Sequence, residues 1–116
     1  MKGMGFEATG RKILESLGFK KLRKPSHVAE GLRYDFEAEK DGVEYTIEVK
    51  STTEKTGGFT VPVTQLREMA RQFFDNKRKA LLLFVDESQI SSAILDYYLF
   101  EMKSVSFGSF YCEEIK

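Results

Sequence analysis

The dipeptide Asp41-Gly42, with an alternating run on each side, constrains this chain more than any other feature. Before it, Tyr34, Phe36 and Ala38 alternate with Arg33, Asp35, Glu37 and Glu39. After it, Val43, Tyr45, Ile47 and Val49 alternate with Glu44, Thr46, Glu48 and Lys50. Period-two alternation marks a strand with one buried face, and Asp-Gly tolerates the positive φ angles of a two-residue hairpin turn. An antiparallel hairpin over Leu32–Ser51 is expected. A two-residue turn also sets the register. Lys40 then opposes Val43, Phe36 opposes Ile47, Tyr34 opposes Val49, Asp35 opposes Glu48, and Arg33 opposes Lys50.

The remaining segments read as follows. Phe6–Leu17 predicts a helix with Phe6, Ile13, Leu14 and Leu17 on one face, Gly18 as its stop and Gly10 as a weak point. Phe19–Arg23 predicts a short strand, and Thr52–Gly58 a polar loop. Thr64 is placed to cap a second helix, Gln65–Phe74, with Leu66, Met69, Ala70 and Phe73 inward. Ala80–Val85 is short and wholly apolar, as in a strand buried on both faces. Ser91 or Ser92 is placed to cap a third helix reaching Phe100, and Val105–Tyr111 predicts a last strand. This order predicts an α/β fold: a mixed central sheet flanked by helices, in one domain over residues 1–116. A chain of this length buries roughly two-thirds of its unfolded surface, enough for one core.

Composition narrows the chemistry. A single Cys excludes an internal disulfide framework and multi-Cys zinc sites, and suits a reducing cytoplasm. Cys112 itself has no His nearby in sequence and is expected to be inert. The single His excludes His-rich metal centres. The longest apolar run is too short to span a membrane, and the N-terminus lacks the apolar stretch of a signal peptide. The 18 basic and 18 acidic side chains cancel, which by itself argues weakly against nucleic acid. The charges nevertheless fall in blocks: +5 over residues 1–25, −5 over 26–54, +4 over 55–79 and −4 over 80–116. If the two basic blocks lie together beside the hairpin, they form a basic cradle around an acidic centre. The ten Phe and five Tyr, dense near the C-terminus (Tyr97, Tyr98, Phe100, Phe107, Phe110, Tyr111), exceed what a core needs and suggest a homodimer face.

The hairpin also carries the candidate chemistry. Asp35 and Glu48 are expected opposite one another, with Lys50 two residues along the same face. Opposed carboxylates repel unless a cation lies between them, and oxygen donors suit Mg²⁺. An ammonium beside them would hold a metal-bound water or offset charge on a phosphate. The pattern leaves a second reading open, because Glu37, Glu39 and Glu44 make this stretch acidic throughout, as a solvated sheet face would be.

The run Gly5-Phe6-Glu7, Leu17-Gly18-Phe19, Asp35, Ile47-Glu48-Val49-Lys50-Ser51-Thr52 and Gln65-Leu66 resembles the PD-(D/E)XK nuclease superfamily. It is most similar to archaeal Holliday-junction resolvases and Mrr-like restriction endonucleases. The likeness covers roughly residues 3 to 86. It departs at Tyr34, where a Pro is usual, and in Pro25-Ser26-His27, which only loosely matches the resolvases' Ser-bearing loop. The resemblance implies a restriction-endonuclease-like fold and a metal-dependent endonuclease acting on DNA, with branched DNA preferred. It implies Asp35, Glu48 and the Val49 carbonyl as ligands of Mg²⁺, with Mn²⁺ able to substitute. Glu7, Lys50 and Gln65 complete the implied catalytic set. Arg11, Lys12, Arg23, Lys24, Ser26 and Lys55 are the expected nucleic-acid contacts. Two alternatives stand beside it: a catalytically inactive binding or assembly module of the same fold, or a restriction-type or RNA-directed nuclease.

Overall fold

The computed structural model describes residues 2–25, 34–52, 61–86, 96–106 and 109–115. Its elements are α1 (Lys2–Ser16), β1 (Lys20–Arg23), β2 (Phe36–Lys40), β3 (Val43–Thr52), α2 (Val63–Asn76), β4 (Lys79–Asp86), β5 (Asp96–Ser106) and β6 (Ser109–Glu114). The strands form one six-stranded sheet in the order β1-β2-β3-β4-β5-β6. Among the described residues, only β3 and β4 pair in parallel, joined across the sheet by α2; every other neighbouring pair is antiparallel. The architecture is α/β, a mixed sheet flanked by two helices.

The hairpin forms as its turn chemistry dictates. Asp41 and Gly42 both take positive φ, 53° and 79°, and Lys40 opposes Val43 while Phe36 opposes Ile47. Alternation then sorts the side chains into two cores. Phe36, Ala38, Ile47, Val49, Leu81, Leu83 and Val85 pack with Leu14 of α1 on one face. Ala80, Leu82 and Met102 pack with Met69 and Ala70 of α2 on the other. Burial of both faces explains the unbroken apolar run of β4. Gly10 is required rather than weak: a Cβ there would lie 2.9 Å from Val49 Cγ1, so α1 rests directly on β3.

Several expectations are corrected. Residues 96–100 belong to strand β5, not to a third helix, because Tyr97 and Leu99 pair with Val85 and Leu83 of β4. Val105–Tyr111 is not one strand; β5 ends at Ser106, which pairs with Ser109 at the start of β6. The second helix begins at Val63 with Pro62 as N-cap, so Thr64 lies inside it; the Pro62 carbonyl accepts the Gln65 and Leu66 amides. Tyr34 does not oppose Val49. It is buried in the α2-side core, while Val49 is in the α1-side core. The expected strand pairing of Arg33 and the Thr52–Gly58 loop, beyond Thr52 at the end of β3, lie outside the described residues. Finally, α1 and α2 cover opposite faces, so the helices carrying the two basic blocks do not build one basic cradle.

Among the described residues, no helix is long and apolar enough to cross a membrane. Of the C-terminal aromatics, Tyr97 and Phe100 pack against the cores, whereas Tyr98 and Tyr111 are exposed. The side chains of Phe107 and Phe110 lie outside the described residues.

Candidate active site

Strand β3 presents Glu48 and Lys50 on its α2 side, because Ile47 and Val49 face α1. Glu48 is 1% exposed. One of its oxygens, Oε2, is 3.0 Å from Lys50 Nζ. The other, Oε1, is buried with no hydrogen-bond partner among the described residues. Asp35 occupies the bend just before β2, one position beyond the last ladder pair. Its Oδ2 accepts the Val49 amide at 2.7 Å, and its charge is close enough to Glu48 to repel it. The sequence-predicted trio of Asp35, Glu48 and Lys50 is therefore assembled, although Asp35 reaches Glu48 from a bend rather than from a ladder.

The electrostatics follow from that geometry. Burial, then repulsion from Asp35, pushes the Glu48 carboxyl up to about 7, against the opposing pull of Lys50. The reading of a solvated acidic face fails at Glu37, 4% exposed, and at Glu48, 1% exposed, whereas Glu39 and Glu44 remain half-exposed. Glu37 instead accepts the Tyr34 hydroxyl at 2.5 Å and lies 3.2 Å from Arg78 Nη1.

The donor set suits a hard divalent cation: two adjoining carboxylates, one with a buried oxygen lacking a partner. Such a cation would relieve both the repulsion and the unsatisfied oxygen. Among the described residues, no group of three or more His, Cys, Asp or Glu side chains gathers around the pair. Glu7 lies on α1 with its side chain outside the described residues, and Gln65 stands in the first turn of α2, over the Glu48 face.

The expected nucleic-acid contacts divide. Arg11 and Lys24 converge on one ring, 5.3 and 5.4 Å from the Phe36 centroid, in the residue next to Asp35. Lys12 is exposed on α1. Arg23 is partly exposed and ion-paired: its Nη2 is 2.9 Å from Glu44 Oε1 and its Nε 3.5 Å from Glu37 Oε1. Ser26 and Lys55 lie outside the described residues.

Sequence reasoning missed the polar layer beneath α2. Glu68 and Gln72 are buried on the inner face of that helix, where Arg71 clamps Glu68 with two hydrogen bonds and Gln72 donates to it at 2.9 Å. The i,i+4 spacing of Glu68 and Gln72 around Met69 was the available signal; for the pairing of Arg78 with Glu37 there was none.

A family model described as Protein NO VEIN, C-terminal, matches residues 7–85. That span holds Glu7, Asp35, Glu48, Lys50 and Gln65, and leaves out β5 and β6. No curated protein and no solved structure matches the chain.

Proposed function

The chain belongs to the family described as Protein NO VEIN, C-terminal, and we propose that it is a metal-dependent endonuclease of the PD-(D/E)XK type that hydrolyses DNA phosphodiester bonds, with branched DNA preferred. The observation that carries this reading is the buried Glu48, held between Asp35 and Lys50 with one oxygen lacking a partner. A purely structural Glu–Lys pair has no use for a second carboxylate against it.

In this reading Asp35, Glu48 and the Val49 carbonyl hold Mg²⁺ or Mn²⁺. When bound, the cation polarises the phosphate and lowers the pKa of a water. Lys50, only partly exposed beside Glu48, donates to the attacking water and faces the negative charge that grows on the phosphate. The water oxygen bonds to phosphorus as a deoxyribose oxygen leaves, the water giving up its proton to solvent and the leaving oxygen taking one from solvent. Glu7 supports the water or metal, and Gln65 orients groups from above. Arg11, Lys12 and Lys24, which belong to the α1 side of the sheet rather than the Glu48 side, take backbone phosphates away from the reacting one, which positions the nucleic acid without reading its sequence. A two-fold dimer would present two such sites to a two-fold junction, and sedimentation mass tests it.

The deciding experiment is cleavage of junction, duplex, single-stranded DNA and RNA with Mg²⁺. Wild type should cut DNA, and Glu48→Ala and Lys50→Ala should lose at least about a hundredfold in rate, the scale of an electrostatic group at a reacting centre. Equal cutting by wild type and variants would refute the site. Binding without cleavage of any nucleic acid would favour a non-catalytic module, and cleavage confined to RNA would reassign the substrate.

A further inference from the structure

Tyr34 stands one residue before Asp35, yet the chemistry above has no use for a phenol there. Its ring is 1% exposed, packed with Met69, Ala70, Leu82 and Met102 in the α2-side core. Its hydroxyl donates to Glu37 Oε2 at 2.5 Å. Glu37 is anchored in turn, its Oε1 being 3.2 Å from Arg78 Nη1 and 3.5 Å from Arg23 Nε. Regular alternation would put Tyr34 on the Phe36 face. It lies on the Glu37 face instead, so the chain bends between Tyr34 and Phe36, and Asp35 is the residue of the bend.

Ring burial alone leaves that bend only loosely defined, because an apolar pocket is non-directional. A hydrogen bond from residue 34 to a side chain of β2 is directional, and Glu37 is itself held by ion pairs to two guanidinium groups, at 3.2 and 3.5 Å. We propose that Tyr34 is a positioning residue: its hydroxyl, tied through Glu37 to Arg78, holds the bend that aims the Asp35 carboxylate at the Val49 amide and at Glu48. The geometric claim stands by itself; its consequence for metal affinity rests on the metal-site reading.

The test uses the full chain in three forms: wild type, Tyr34→Phe, and Leu99→Val as a control that loosens the other core. The Val49 amide donates to Asp35, so its proton shift and exchange rate in EDTA report the Asp35 position without metal or substrate. Tyr34→Phe should move that resonance upfield and speed its exchange about tenfold at matched global stability, the cost of one hydrogen bond. Leu99→Val should do neither. Mn²⁺ affinity by calorimetry should fall roughly tenfold in Tyr34→Phe alone, as for outer-shell partners of metal ligands. If Tyr34→Phe fails to fold, Glu37→Gln serves. Its one oxygen cannot both accept the phenol and face Arg78 and Arg23, so the Val49 resonance should move as in Tyr34→Phe, and Glu37→Leu, which removes both contacts, should move it further. A Val49 amide unmoved in Tyr34→Phe, or moved equally by the control, overturns the proposal. Wild type that binds no Mn²⁺ would refute the metal site while the amide result still decides the bend.

Discussion

Replacing Glu48 by Gln should abolish a loss of stability that the metal-free protein suffers as pH rises. The Glu48 carboxyl is pushed from an ordinary 4.5 up to about 7 in the folded chain, chiefly by burial and by Asp35. A group whose folded pKa is raised contributes stability that is fully present below its unfolded pKa and is lost as pH rises through its folded pKa. A tenfold change in proton affinity between the folded and unfolded chain corresponds to about 1.4 kcal/mol, so the whole effect is roughly 3 kcal/mol, of which about 2 to 3 falls between about pH 5 and pH 8. Wild type in EDTA should therefore become less stable relative to Glu48→Gln as the pH climbs across that window. Urea denaturation of both proteins at half-unit pH steps measures it, the difference cancelling the titrating groups that do not interact with Glu48. Adding Mg²⁺ at pH 8 should restore wild type and leave the variant unmoved, because the ion binds only the folded, charged site. A difference between the two proteins that is flat with pH, or that favours wild type as pH rises, would show that Glu48 is not buried against Asp35 as described.

Three further outcomes follow from the packing. Gly10→Ala should cost about 1 kcal/mol in urea denaturation, since overpacking against Val49 exceeds the helix gain of roughly 1 kcal/mol from losing a glycine; in a Val49→Ala background the same change should stabilise. Glu37→Leu should lower stability by about 2 kcal/mol, because it leaves the Tyr34 hydroxyl unpaired in the interior and Arg78 with only its longer pair to Glu44 at 3.5 Å. Burial pushes the Cys112 thiol up, so Ellman's reagent should modify it several-fold more slowly than it does the unfolded chain at the same pH.

The hairpin and its register were legible because turn residues and alternation demand the same structure, and the register carried the pairing of Asp35 with Glu48. The two basic blocks were legible as composition, but which sheet face each helix covers is decided by crossover, which charge does not encode. Asp96–Phe100 was misassigned because its aromatic run packs on both faces of a strand, a pattern that a helix shares until β4 is there to pair with it. The bend at Asp35 was invisible for a similar reason. Alternation assumes a straight strand, and the force that breaks it comes from Arg78 and Arg23, remote in sequence. The ion pairs of Arg23 with Glu37 and Glu44 were not legible, because only the folded chain brings those residues to it.

The strand order, which follows the chain without exception, sets the order of events in folding. Neighbouring strands are neighbours in sequence, so nearly all sheet contacts close short loops, and a hairpin such as β2–β3 forms in about 1–10 μs. The one parallel junction, β3 with β4, must wait for the whole α2 crossover to close, and it is the slow step. The early hairpin brings Asp35 near Glu48, but the bend that aims it waits for α2 and Arg78, which supply the Tyr34 pocket and the anchor of Glu37. On the metal-site reading, the two carboxyls are hydrated and open to divalent ions until then. An ion captured then would be enclosed as the helix docks, and refolding in Mg²⁺ should accelerate only in the phase that closes α2.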